Sequence, residues 1–149
     1  MIVDLLRNDL SKTCEHNSVK VDKLCELETF EGLHHLVSTV TGTLKADNTA
    51  IDLLKSCFPG GSITGAPKIR AQEIIEELEI TKRGPYCGAI GYIGFNGDMD
   101  TNIAIRTLIV KDNTAYLNLG SGIVSDSDLQ KELEETNTKG QKIFESFEV

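Results

Sequence analysis

Apolar and polar positions change their period several times along this chain. Residues 1–10 set Ile2, Val3, Leu5, Leu6 and Leu10 among Asp4, Arg7, Asn8 and Asp9. Chain termini are usually exposed and loosely held, so a core-grade apolar run opening at Met1 is expected of an internal stretch of a longer protein. Residues 11–18 are polar and read as a loop. Residues 19–30 mix Val19, Val21, Leu24, Leu27 and Phe30 with charges, a pattern that suits strand and helix alike. Glu31 and Gly32 then lead through His34 and His35 into a β-branched stretch at 36–44 with strand character. Asp47-Asn48-Thr49 signals a helix start and predicts a helix over 49–57.

Residues 58–68 form a glycine-rich segment that ends at Pro67, a residue well suited to open a helix. Ile69, Ala71, Ile74, Ile75 and Leu78 then recur at helical spacing and predict a helix to about Glu79. Two strand-like runs, 86–95 and 101–110, flank a turn at 96–100 and read as a hairpin. Asp112-Asn113 makes a second tight turn into a third run at 114–119, so the expected arrangement is an antiparallel meander. After the loop at 120–126, Ser127 with Gln130 fits a capping box and predicts a final helix to about Phe147. Leu129, Leu133, Gly140, Ile143, Phe144 and Phe147 form its expected buried stripe. Gly140 weakens that helix, since a mid-helix glycine costs roughly 1 kcal/mol relative to alanine. The total is an α+β protein, with no internal repeat or low-complexity tract.

At 149 residues the chain suits one compact domain or a large piece of one. No apolar run is long enough to span a bilayer, and Met1-Ile2-Val3-Asp4 lacks the basic start of a secretory signal. The net charge of −8 argues against nucleic acid as the main partner and against an anionic membrane surface. An acidic protein still binds an anion where local donors, cations or a metal reverse the field. Cys14, Cys25, Cys57 and Cys87 form no C-x-x-C pair. They are expected to be reduced thiols in a cytoplasmic protein. Cys14 and His16 lack the further clustered ligands of a metal site.

Several positions carry candidate chemistry. A glycine loop feeding a helix start can hold an anion on its backbone N–H groups. Gly60 and Gly65 have the spacing of a nucleotide P-loop, but Ala66-Pro67 stands where Lys-Ser/Thr must follow, and helix rather than strand precedes it. A carboxylate-binding loop and a plain turn both remain open. Arg106, placed mid-strand among apolar neighbours, suits either a bidentate carboxylate contact or an edge arginine reaching water or an internal acid. Glu132 and Glu135 lie i, i+3 on the last helix, with Lys139 on the same side. Two adjacent carboxylates repel unless a cation joins them, and Mg²⁺ accepts one or two carboxylates plus water and substrate oxygens. A solvated acidic face with a Glu135–Lys139 pair fits the same pattern. His35 borders a strand and equally suits packing or function. Tyr92 lies between Gly91 and Gly94, which leave space near its ring.

Taken in order, these segments resemble the chorismate-utilising enzymes over almost the whole chain. Residues 1–10 resemble M-x-V-D-L-x-R-N-D-L. His35-Leu36-Val37-Ser38 resembles H-L-V-S, and residues 58–71 resemble F-P-x-G-[ST]-x-[ST]-G-A-P-K-x-R-A. Ala104-Ile105-Arg106-Thr107 resembles A-I-R-T, and residues 120–127 resemble G-x-G-I-V-x-D-S. Glu132, Glu135, Thr136 and Lys139 resemble E-x-x-E-T-x-x-K. Each motif is weak alone; six in order at family spacing are specific. Within the family, Gly60-Gly61-Ser62-Ile63-Thr64-Gly65 is similar to aminodeoxychorismate synthases, whereas anthranilate synthases usually show A-G-T-L-S-G. Cys87-Gly88-Ala89-Ile90-Gly91-Tyr92 leans the same way.

The resemblance implies roles position by position. Glu132 and Glu135 match carboxylates that hold Mg²⁺ against the ring carboxylate of chorismate. Arg106 and Tyr92 match contacts to the enolpyruvyl carboxylate. The backbone of Gly120-Ser121-Gly122 matches a pocket wall, and Lys139 a basic residue near a substrate carboxylate. His35 and Ser62 match the candidate catalytic positions, lining the ring together with Gly61. The implied reaction is amination of chorismate at C4, with ammonia from a glutamine amidotransferase subunit. The rival reactions are anthranilate formation and non-catalytic binding. Ser121 departs from the usual G-[AG]-G, and its hydroxyl is placed either to crowd or to hydrogen-bond a ligand. The nucleophilic lysine of a P-I-K-G-T-like motif and further metal-site carboxylates belong to family segments preceding the match to Met1. The chain is therefore expected to carry part of the pocket and half of the metal site, to lack turnover alone, and to self-associate through exposed edges.

Overall fold

The computed structural model describes residues 1–30 and 33–147, and the lead-in at Glu31 and Gly32 lies outside them. The chain divides into two compact units. The first comprises Met1–Glu79 with Gly91–Thr101, and the second Ile80–Ile90 with Asn102–Val149.

In the first unit, residues 1–13 resolve into a helix, α1 (Ile2–Thr13). The ambiguous run at 19–30 is a strand, β1 (Lys20–Phe30), paired antiparallel with β2 (Leu33–Thr41). Two register shifts, between Val21 and Lys23 and between Lys23 and Glu26, break the ladder, and Cys25 has a left-handed backbone there. These bulges explain why neither a clean two-residue nor a clean helical period was legible in this run. The predicted helix at 49–57 is α2 (Ala50–Cys57), opened by a reciprocal capping box between Thr49 and Asp52. The short α3 (Gly61–Thr64) and then α4 (Lys68–Leu78) follow, with Pro67 as the residue just before α4 rather than its first.

The end of α1 is the anchor of this unit. Thr13 and Cys14 are buried. The Thr13 carbonyl accepts from the Lys45 N–H at 3.0 Å and from Asn48 Nδ2 at 2.8 Å. Cys14 forms an antiparallel bridge with Leu44, and the Glu15 N–H donates to the Thr43 carbonyl at 2.7 Å. Helix α1 is thereby tied to the chain between β2 and α2, and its terminal Thr13 carbonyl, otherwise an orphan acceptor, is satisfied twice.

Strands β3 (Ala89–Ile93) and β4 (Met99–Ile103) form the expected hairpin, whose turn residue Gly97 has a left-handed backbone. Within the first unit, Gly91 sits so close to β4 that a Cβ there would run into the Asp100 carbonyl and Thr101. Strand approach, rather than room for a ligand, is the physical requirement for glycine beside Tyr92.

In the second unit, β5 (Leu108–Lys111) and β6 (Thr114–Leu117) pair around Asp112-Asn113, both with positive φ. That is the twist-matched two-residue hairpin turn that Asp and Asn tolerate. The three-stranded meander does not form. Residues 104–107 interrupt the expected strand, and β3–β4 and β5–β6 are separate two-stranded sheets. The interruption has a backbone cause: Arg106 has φ of 51°, and upstream Cys87 has φ of 65°, both incompatible with extended strand. Buried Cys87 and Ala104 close the break, the Cys87 N–H donating to the Ala104 carbonyl and the Ala104 N–H to the Gly88 carbonyl, each at 2.9 Å.

Helix α5 (Leu129–Glu145) starts one residue later than predicted, because Asp128 rather than Ser127 caps it, accepting from the Lys131 N–H at 3.1 Å. Its apolar stripe is mostly not buried: Leu129 is 88% exposed and Phe147 59%. Only its C-terminal part meets the β5–β6 hairpin, with Leu108, Ala115, Leu117, Ile143, Phe144 and Phe147 lining an apolar hollow of about 210 Å³. Gly140 is the exception and is buried. A Cβ there would lie 2.5 Å from Leu119 Cδ1 and 2.6 Å from Phe144 Cε2. The glycine that weakens the helix lets Leu119 and Phe144 close over it. Among the described residues no helix is long and apolar enough to cross a membrane.

Gly140→Ala gains helix propensity but must push aside the ends of the Leu119 and Phe144 side chains, so in urea unfolding its stabilisation should fall short of the roughly 1 kcal/mol expected at an open helix site. The exposed Leu24, Leu27 and Leu36 on β1–β2, Leu129 and Leu133 on α5, and Phe147 just beyond it are apolar surface that drives association. Light scattering during gel filtration should show self-association, and a sharp monomer peak with cooperative unfolding would contradict this.

Candidate functional site

In the first unit the glycine-rich segment is built on α1. Gly61 is buried because Leu5 fills the place of its missing side chain, and an added Cβ would sit 2.8 Å from Leu5 Cδ1. Gly65 has φ of 111°, open only to glycine at low cost. The turn is closed by the Ile63 N–H to the Gly60 carbonyl at 3.2 Å and the Gly65 N–H to the Gly61 carbonyl at 3.0 Å. Thr64 Oγ1 donates to the Gly60 carbonyl at 3.0 Å. Ser62 is the exposed residue of α3, so its hydroxyl is offered outward by a turn held from beneath. His35 is exposed on β2, paired in register with Glu28, and Tyr92 is 63% exposed on β3.

Asp9, in the sequence one polar residue of the 1–10 run, is 2% exposed. Its Oδ2 accepts from Lys68 Nζ at 2.6 Å and its Oδ1 from Lys12 Nζ at 2.8 Å. Lys68, likewise unassigned by the sequence, also donates to the Cys57 carbonyl at 3.3 Å. One signal was available: Asp9 follows Leu5 by four residues and precedes Thr13 by four. An acid on the apolar side of a helix asks for a cation. All four cysteines are free thiols, and burial is the main cause pushing the Cys57 thiol up.

In the second unit side chains of α5 meet the 120–127 loop. Lys139 Nζ reaches Glu135 Oε1 at 2.6 Å and donates to the Gly120 carbonyl at 3.2 Å. Lys139 thus joins the helix to the first residue of the 120–122 loop. Ser127, displaced from its expected capping role, accepts from the Val124 N–H at 3.0 Å and donates to Glu132 Oε1 at 2.6 Å. The Ser121 hydroxyl lies 3.5 Å from the Glu132 carbonyl oxygen. The hydroxyl that departs from the family pattern therefore faces α5. The Ser121 and Ser127 hydroxyls, in that order, and then Lys139 hold the Glu132 carboxyl below the usual carboxylate range, against an opposing push from desolvation. Glu132 is thereby kept anionic and oriented. Gly120 is confined too, a Cβ there meeting the Tyr86 hydroxyl at 3.0 Å, whereas Gly122 has open space.

Arg106 does not sit mid-strand. It lies on the bend between β4 and β5, exposed, with a left-handed backbone. That conformation costs a residue with a Cβ roughly 1–2 kcal/mol, and such strain concentrates at functional positions. The alternation that placed it among apolar neighbours does not apply. No internal acid among the described residues pairs with it, so its guanidinium is open to an external anion.

Among the described residues no three His, Cys, Asp or Glu side chains converge. Glu132 and Glu135 are two carboxylates one helical turn apart, one fixed by hydroxyls and the other neutralised by Lys139. That donor set fits the protein share of a Mg²⁺ site that takes its other oxygens from water and ligand. Glu132 is ready as it stands; Glu135 must exchange its contact with Lys139.

The sequence profile of the chorismate binding enzyme family matches residues 1–145. Aminodeoxychorismate synthase component 1 of Klebsiella aerogenes is 51% identical over 148 residues, which cover 99% of this chain and 33% of that protein. Anthranilate synthase component 1 of a Synechocystis strain is 50% identical over 152 residues, covering 99% of this chain and 30% of that protein. The crystal structure of anthranilate synthase component I from Streptococcus pneumoniae TIGR4 superposes with a TM-score of 0.90 at 51% identity, over 95% of this chain and 32% of that one. The chain spans about a third of the length of these relatives. Identity does not separate the two reactions that their names carry.

The Glu132 geometry has a pH consequence. Its folded pKa is lower than its unfolded value of about 4.3. Its stabilising contribution is therefore complete above that value and is lost as pH falls through the folded pKa. In a carboxyl-resonance NMR titration, Glu132 should titrate below the ordinary glutamate range, and Ser127→Ala should move its midpoint up.

Proposed function

This chain belongs to the chorismate-binding enzymes, and from that premise we propose that it forms the substrate-holding part of an aminodeoxychorismate synthase. The reaction converts chorismate and ammonia to 4-amino-4-deoxychorismate and water. Ammonia comes from a glutamine amidotransferase partner in a cytoplasmic complex. The observation that carries the pocket is the Glu132–Ser127 and Glu135–Lys139–Gly120 cluster, which joins α5 to the 120–127 loop. The preference for amination rests on the Gly60-Gly61-Ser62-Ile63-Thr64-Gly65 turn.

In this reading Glu132 and Glu135 hold Mg²⁺. The ion supplies electrostatic stabilisation of a carboxylate-bearing substrate in an acidic protein. Lys139 leaves Glu135 for a substrate carboxylate, retaining its anchor on the Gly120 carbonyl. Arg106, in the second unit, binds a second carboxylate, where the planar guanidinium supplies paired N–H donors. His35 and Ser62, on β2 and α3, are with Gly61 the groups that the first unit offers to a ligand's ring. In the second unit the 120–122 backbone walls the carboxylate site. The ring chemistry also needs a nucleophilic lysine in a P-I-K-G-T-like motif, which the 149 residues do not contain, so the chain by itself binds without turnover.

The 50% identity to an anthranilate synthase favours a second reading, in which the same pocket serves elimination of pyruvate and aromatisation. Calorimetry with chorismate and Mg²⁺, followed by product chromatography after adding ammonium, distinguishes these. The expected result is Mg²⁺-dependent binding, weakened tenfold or more in Glu132→Gln, with no product. Supplying the lysine-bearing segment in trans should then yield 4-amino-4-deoxychorismate. Anthranilate with pyruvate would establish the second reading. Failure of the chain to bind chorismate at all would sink both.

A further inference from the structure

The glycine-rich turn is held in part from outside itself. Between the end of α2 at Cys57 and the start of α4 at Lys68, local hydrogen bonds within residues 60–65 close it. Further support comes from α1. Leu5 and Asp9 lie one helical turn apart on α1, so they share a face. Leu5 fills the space beneath Gly61. Asp9 receives Lys68 Nζ at 2.6 Å, and the same ammonium donates to the Cys57 carbonyl at 3.3 Å. Lys68 is the first residue of α4 and Cys57 the last of α2. One side chain therefore spans the mouth of the turn, joining the residue before it to the residue after it, and fastens both to α1.

From this we infer that Asp9 and Lys68 are positioning residues that fix the conformation of the 60–65 turn, with Lys12 holding the second Asp9 oxygen. The inference rests on the reading of Gly61 and Ser62 as a wall of the chorismate pocket. Desolvating a carboxylate and an ammonium is costly, and a well-packed apolar pair often serves stability as well or better. An apolar pair cannot also donate to the Cys57 carbonyl. The charged pair closes the turn while satisfying that acceptor, and Lys12 neutralises what remains of the Asp9 charge. Without the clamp the turn's local bonds open more often and the backbone samples other conformations, which moves the exposed Ser62 relative to α1. The two residues touch no substrate atom in this account and act through the turn.

Amide hydrogen exchange tests the clamp without any ligand. The probes are the Ile63 and Gly65 N–H groups in the unmutated chain, Lys68→Met, Asp9→Asn and the double variant. Leu53→Ala on α2 serves as a control destabilised elsewhere in the same unit. Both single variants should speed exchange at Ile63 and Gly65 tenfold or more beyond the change at β2 amides, and the double variant should be no faster than Lys68→Met. Should Lys68→Met fail to fold, Lys68→Gln, which keeps N–H donors without the charge, is expected to give a smaller acceleration at the same two amides. Exchange that follows overall stability as in Leu53→Ala, or additive effects in the double variant, would overturn the inference. Titration with chorismate and Mg²⁺ reads the consequence, a tenfold or greater loss of affinity in Lys68→Met that Leu53→Ala does not share. If the unmutated chain binds no chorismate, the functional reading fails and the exchange result still decides the clamp.

Discussion

Asp9 is almost wholly buried in α1, and each of its carboxylate oxygens meets an ammonium group, from Lys12 and from Lys68. The first unit is organised around this carboxylate. It ties α1 to the start of α4, and through the second donation by Lys68 it also reaches the end of α2. Removing Lys68 would leave the buried carboxylate to the half-exposed Lys12 alone, and removing Asp9 would leave the Lys68 ammonium without its carboxylate, a destabilising change in either case. Because Leu5 on the same helix face occupies the space that Gly61 leaves, the pair also decides where the glycine-rich turn rests. The requirement for glycine at 61 is set by α1, and that at 65 by its backbone angle.

The second unit obeys a related constraint with different groups. The 120–127 loop has little apolar anchorage, Ile123 and Val124 being exposed. It is held by polar contacts to α5: Lys139 on the Gly120 carbonyl and Ser127 on Glu132. The contacts that shape the loop are the ones that prepare the carboxylates. A hydroxyl donated to Glu132 both stiffens the loop and favours the anion, so loop order and charge state are linked. The extra Ser121 hydroxyl, which the sequence left between crowding and hydrogen-bonding a ligand, is turned to the helix.

Legibility in the sequence followed the range of the interactions. The α2 start at Thr49 and the Asp112-Asn113 turn are decided within four residues, and both were readable. The end of α4 near Glu79 was equally local. Ile103, Ile105 and Ile109 alternate as in a strand, whereas the break at Arg106, with its positive φ, is closed by Cys87 and Ala104, seventeen positions apart. Ser127 and Asp128 both make good caps, and the choice between them depended on Ser127 being drawn to Glu132. The buried stripe of α5 was drawn from its own periodicity, but burial needs a partner, and the β5–β6 hairpin meets only the helix end.

The sequence alone determined the α+β class, most of the helices and hairpins, and the ordered motifs that mark the chorismate-binding family. These depend on local periodicity, capping chemistry and residue identity, which one chain displays in full. Tertiary structure alone decided that Asp9 and Lys68 pair, that Gly140 makes room for Leu119 and Phe144, and that Arg106 leaves the strand. It also decided that Ser121 faces Glu132. These are settled by the packing of whole elements and by the need of buried charges and donors for partners, and neither is written in any local pattern.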